Sequence, residues 1–116
     1  MERGDVLSNK VALARAIIAA VQAVPGVAEV SHAAIGGVAT YGGGERVPGV
    51  AVSVRDDGSV DIEVHVCAVY TDSLVLGELA ASIRKAIRHT VEAARGRAPG
   101  RIDVVFDDMR IDPDHS

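Results

Sequence analysis

His65 and Cys67 stand two residues apart in a run of alternating apolar residues from Val60 to Val66, so both side chains fall on one face of a strand and make half of a zinc-type ligand set. Asp61 and Glu63 share that face by the same period of two. Side chains spread at about 7 Å intervals along one strand do not converge on a single ion. His32, His89 and His115 stand at no ligand spacing to them. No metal is therefore expected, and Asp61, Glu63, His65 and Cys67 are candidate contacts on a face that meets solvent or a partner. Acyl-transfer chemistry needs a serine beside a base. The available pairs are Ser31 with His32 and Ser53 with His65, but adjacent strand residues point to opposite faces and no nucleophile-elbow pattern surrounds either serine. No catalytic residue is assigned.

Gly36, Gly37, Gly42, Gly43 and Gly44 invite a phosphate cradle, yet no Gly-Lys-Ser/Thr follows, and Glu45 and Arg46 stand in its place. The segment from Gly36 to Gly44 is read as a loose connection, with a partner contact left open and no cofactor expected. Asp107, Asp108, Asp112 and Asp114 lack the glycine and closing Glu of an EF-hand loop and read as a solvated end. The strongest charge pattern is Arg84, Lys85, Arg88, Arg95, Arg97 and Arg101, in a stretch with one acid, Glu92. Cations near a helix C-terminus complement its dipole and keep an exposed face soluble. The same row also suits an anionic membrane surface or an acidic partner segment, which makes Arg84, Lys85, Arg88 and Arg95 candidate contacts.

The elements that position these groups follow from apolar periodicity. Met1 to Asn9 is short and polar and reads as a loose lead-in, with a stub of strand at Val6 and Leu7. Val11, Ala14, Ile17, Ile18 and Val21 form one stripe of a helix over Lys10 to Val24, capped by Ser8 or Asn9 and stopped by Pro25 and Gly26. Val27 to Ala34 is a short strand. Val50, Val52 and Val54, then Val60, Ile62, Val64 and Val66, flank Asp56-Asp57-Gly58-Ser59 and predict a hairpin with one apolar face. A second helix carries Leu76, Leu79, Ala80, Ile83, Ile87, Val91 and Ala94, capped by Asp72 or Ser73 and ended by Gly96. Ile102, Val104 and Phe106 form a last strand, returned parallel to its partner by the crossover helix. The pattern predicts an α+β, two-layer sandwich with two amphipathic helices on one face of a mixed sheet of about four strands, as a single domain over residues 10–112 followed by a tail at 113–116.

With 116 residues, the chain supports one core, and its 48% hydrophobic content is that of a globular protein. Aromatics are 3% and the net charge is −4, which leaves little for stacking bases or neutralising a phosphate backbone, so no nucleic-acid partner is expected. One cysteine, no basic-then-apolar leader and no apolar run of about 18 residues predict a cytoplasmic location.

From Val11 to Ile111 the order of features resembles the alkaline shock protein family, envelope stress-response proteins of Gram-positive bacteria. The carrying segments are Val24-Pro25-Gly26-Val27, Gly36-Gly37-Val38, Pro48-Gly49-Val50-Ala51-Val52-Ser53-Val54, and Val60-Asp61-Ile62-Glu63-Val64-His65-Val66 running to Tyr70. Glu78-Leu79-Ala80 with Ile83 and Ile87, Ile102-Asp103-Val104 and Met109-Arg110-Ile111 complete the set. The chain departs from the common pattern in its short Val6-Leu7-Ser8-Asn9 lead-in and in a second helix that begins without proline. The resemblance implies a non-enzymatic protein-binding scaffold in envelope or alkaline stress response. It further implies self-association into a homo-oligomer and peripheral association with the inner face of the membrane through a small membrane-anchoring protein. The alternative is a small ligand- or metal-binding module built around His65, Cys67 and the glycine segment.

Overall fold

The computed structural model describes residues 3–31 and 38–111. Helix α1 (Arg3–Gln22) is followed by strands β1 (Val27–Val30), β2 (Ala39–Gly42), β3 (Glu45–Pro48), β4 (Val50–Val54) and β5 (Val60–Tyr70), helix α2 (Leu76–Arg95) and strand β6 (Ile102–Ile111). β5 is the organising strand. Along one side it pairs parallel with β6 from Ile62↔Ile102 to Tyr70↔Ile111. Along the other it pairs antiparallel with β4 over Val60 to Val64 and with β1 over Val66 to Ala68, so β4 and β1 lie end to end on one edge. The result is a four-stranded mixed sheet, and β2 and β3 form a separate two-stranded hairpin.

Both helices pack on one face of the sheet and against each other, with α1 also covering the β2–β3 hairpin and α2 lying beside β6. This is the two-layer α+β sandwich expected from the alternating strands and striped helices. The core is aliphatic: Val11, Ala14, Ile17 and Val21 from α1 meet Leu79, Ile83, Ile87 and Val91 from α2 over Val60, Ile62, Val64 and Val66 of β5. Thr40 and Ser59 are buried polar residues, and Thr40 lies against β4. Its hydroxyl donates to Val50 O at 2.6 Å and accepts from Val52 N–H at 3.2 Å, which ties β2 to β4 where no ladder joins them.

Several expectations are corrected. α1 begins at Arg3, so residues 3–9 are helical instead of a loose lead-in with a strand stub, and neither Ser8 nor Asn9 caps the helix. Once α1 is nucleated by its packed turns, each further residue extends it without a new nucleation cost, and no proline intervenes. α2 starts at Leu76 after a turn closed by Leu74 N–H to Thr71 O, so Val75 holds the N-cap position with no side-chain bond, and Asp72 and Ser73 cap nothing. Its C-terminus is as predicted, with Gly96 at φ +76° donating to Glu92 O. The glycine segment is not wholly a connection. Gly42 ends β2, and Gly43 and Gly44, both at positive φ, turn the chain into β3, where buried Val47 holds the hairpin down. Gly36, Gly37, His32 and the tail at 113–116 lie outside the described residues.

Candidate functional site

The face of the sheet turned away from the helices carries the candidate residues. On β5 the core-facing side chains are Val60, Ile62, Val64 and Val66, which leaves Asp61, Glu63, His65 and Cys67 on the opposite face, as their period of two predicts. The register supplies their neighbours: Ser53 beside Asp61, Ala51 and Asp103 beside Glu63, Val105 beside His65, and Glu29 and Asp108 beside Cys67. This surface is tiled by three cross-strand charge clusters.

At one end, Arg55 Nε donates to Asp61 at 2.8 Å and Arg101 N–H donates to Asp61 Oδ1 at 2.9 Å, while the Arg101 side chain reaches Asp103 at 3.0 Å. The Arg55 hydrogen bond is the main reason the Asp61 carboxyl sits below its ordinary pKa. In the middle, His65 is held between two carboxylates, Nε2 at 2.7 Å from Glu63 Oε2 and Nδ1 at 2.9 Å from Asp107 Oδ1. Partial burial pulls the imidazole pKa down, and the bonds to Glu63 and Asp107 outweigh that pull, leaving it above its ordinary value. At the far end, Arg110 Nη2 donates to Glu29 Oε1 at 2.6 Å, joining β6 to β1 across β5. Cys67, 4% exposed, is the register partner of Glu29 and Asp108, and burial pushes its thiol pKa up.

Asp107 reaches His65 because of a bulge. Val66 pairs with Phe106 and Cys67 with Asp108, so Asp107 is an extra residue and both aspartates turn to the outer face. These two are thus part of β6 and not of a solvated end; Asp112 and Asp114 lie outside the described residues. Sequence reasoning missed Asp103, Asp107, Arg110 and Glu29 as members of this surface. The alternation of Asp103 with Ile102 and Val104 was a usable signal once β6 is laid parallel to β5. The bulge and the Glu29–Arg110 pairing have no local signature.

The same geometry bears on the chemistry considered above. Both ring nitrogens of His65 are engaged by carboxylates on opposite sides of the imidazole, so these groups do not point at a common ion, and Cys67 is buried between its register partners Glu29 and Asp108. Among the described residues, no three His, Cys, Asp or Glu side chains are placed to share a metal. Ser53 stands opposite Asp61, four residues along β5 from His65 and about 13 Å away along the strand, too far for a nucleophile–base pair.

The basic row of α2 is exposed at Arg84, Lys85, Arg88 and Arg95, but its members differ. Arg95 donates to Gly58 O at 2.9 Å and Arg97 to Asp57 O at 3.0 Å, together clasping the β4–β5 turn, and Arg84 Nε lies 3.5 Å from Ile102 O. Lys85 and Arg88 make no hydrogen bond among the described residues, so the surface is narrower than the sequence row. A groove of about 520 Å³ opens at the other end of α2, between Pro25, Gly26, Leu74 and Leu79, with Ser73 and Glu78 at its rim. Among the described residues, no helix is long and apolar enough to cross a membrane.

No family model matches the chain, and no curated protein matches it. Among solved structures, a tryptophan-to-alanine variant of the MamM CTD is similar over 97% of this chain and 99% of that one, at 15% identity and a TM-score of 0.38. A likeness that loose bears on neither mechanism nor partners.

Proposed function

We propose that this protein is a non-enzymatic, protein-binding scaffold of the alkaline shock type, acting in envelope stress response at the cytoplasmic face of the membrane through a small membrane-anchoring protein. The observation that carries this reading is the open sheet face. Six carboxylates, those of Glu29, Asp61, Glu63, Asp103, Asp107 and Asp108, share it with three arginines and His65, and bonds across the strands fix Glu29, Asp61 and Asp107 while bonds along them fix Glu63 and Asp103. A surface whose charges are already ordered loses little side-chain entropy on docking, which favours a partner of complementary, net basic character. Exposed Lys85 and Arg88 on the other layer add a modest attraction to anionic lipid.

The test is affinity recovery of the tagged chain from gently lysed native cells, separated into membrane and soluble fractions. The expected result is a short membrane protein recovered stoichiometrically with the wild type and lost with a Glu63→Lys variant that remains folded by circular dichroism. A chain that stays wholly soluble and brings down nothing in stoichiometric amount overturns the scaffold reading.

A further inference from the structure

We propose that β6 is a self-pairing edge: a second copy of the chain adds antiparallel to it across a two-fold axis at Phe106, making one continuous sheet through the dimer. This surface is the sheet's edge, with Asp103, Asp108 and Arg110 of the outer face along its rim, and the inference rests on the backbone geometry of β6 and not on the scaffold reading.

The argument begins with the hydrogen-bond phase. Ile62 N–H donates to Arg101 O at 2.7 Å, and Ile62 is in register with Ile102. In a parallel ladder with that phase, the residues flanking each register partner bond to β5, and the partners themselves turn their N–H and C=O the other way. The backbone groups on the free side of β6 are therefore those of Ile102, Val104, Phe106, Met109 and Ile111. Among the described residues no strand meets them. Two are touched by single side-chain groups, Arg84 on Ile102 O at 3.5 Å and the Asp108 carboxylate on Met109 N–H at 2.8 Å, contacts that a ladder replaces.

The bulge sets the symmetry. With Asp107 as the extra residue, β6 keeps nine alternating positions centred on Phe106. An antiparallel copy then sets Phe106 against Phe106, Val104 against Met109 and Ile102 against Ile111 as hydrogen-bonded rungs on the helix side. Between them, Val105 meets Asp108 and Asp103 meets Arg110 on the outer face. Every rung matches side with side, and the one rung with two charges pairs opposite signs, twice per dimer. Self-complementarity of this kind is what a two-fold interface requires. It also accounts for the apolar exposure at the end of the strand, where Met109 is 44% and Ile111 75% exposed beside half-exposed Tyr70. A ten-residue strand with such a row is a template for another strand.

The experiment is sedimentation equilibrium on the full 116-residue chain from low to high micromolar concentration, with folding checked by circular dichroism. The wild type is expected to dimerise. Val104→Pro removes an N–H that the β5 ladder does not use and should give a folded monomer. Asp103→Arg and Arg110→Asp each place like charges opposite each other twice and should weaken the homodimer by roughly tenfold. Mixing these two variants restores both opposite-sign contacts and should recover a heterodimer of near wild-type affinity. A wild type that is monomeric throughout, a Val104→Pro chain that dimerises as tightly as the wild type, or a mixture no tighter than either variant alone overturns the proposal.

Discussion

Gly49→Ala tests how β1 and β4 share one edge of β5. Gly49 sits at φ +90°, donates to Val38 O at 2.9 Å and accepts from His65 N–H at 2.9 Å, just beyond the end of β1. A Cβ added there would lie 2.3 Å from Val30 Cγ1 and 2.6 Å from Ser31 O. The second contact is with backbone of Ser31, whose N–H already donates to His65 O at 2.8 Å, so it has little room to move. Forcing a left-handed φ on alanine costs about 1–2 kcal/mol and the overlap about 1–3 more, for a total of roughly 2–5 kcal/mol. Gly44→Ala separates the two contributions, because Gly44 has φ +81° with nothing within 4 Å of the added carbon and should show only the conformational part. Urea unfolding of both variants measures the difference, and thermal melts should show a loss of about 10–20 °C for Gly49→Ala. Equal destabilisation by the two substitutions, or a loss below about 0.5 kcal/mol at Gly49, would refute the crowding derived for this junction.

Thr40→Val keeps the shape but leaves Val52 N–H without its buried acceptor, and should destabilise by about 1–3 kcal/mol in the same urea assay. His65 has a raised folded-state pKa, so the stabilisation from its two carboxylates is fully present below the unfolded imidazole pKa and is lost as pH rises through the folded one. Unfolding free energies measured from pH 6 to 9 should fall over that window in the wild type and lose this fall in His65→Gln, with Asp61, Asp103, Asp108 and Cys67 as the other titratable neighbours on that face. Cys67, buried with its thiol pKa pushed up by that burial, should react slowly with a thiol-specific reagent in the native state and quickly once urea unfolds the chain.

The parts of this fold legible in the sequence were those where one period persists. Alternation from Val50 to Val66 marked the β4–β5 hairpin, and the three-to-four spacing from Leu79 to Val91 marked the buried face of α2, because each pattern repeats long enough to identify its geometry. The start of α1 was not legible, since helix propagation into residues 3–9 needs no apolar stripe of its own. The β2–β3 hairpin was hidden because its strands are four residues each and its turn glycines resemble a linker. At the candidate site, Asp61, Glu63, His65 and Cys67 shared a face by counting alone, and Glu63 beside His65 followed from that. Asp107 did not follow, because its place depends on a bulge made by pairing with β5, and Arg110 and Glu29 meet across 81 residues of chain.

The end-to-end placement of β1 and β4 makes His65 a hinge pin for chain length. Its C=O takes the N–H of Ser31 and its N–H gives to the C=O of Gly49, so the chain leaves the sheet and re-enters it at one residue. Between those two anchors the β2–β3 hairpin is itself held, by Thr40 on β4 and by buried Val47, so among the described residues its Gly43–Gly44 turn is where length can change without touching the register. Doubling such an excursion costs only about 0.6 kcal/mol in closure entropy. A segment inserted at Gly43–Gly44 should therefore leave the β4–β5–β6 frame intact, whereas replacing the hairpin as a whole should not, because Thr40 and Val47 go with it.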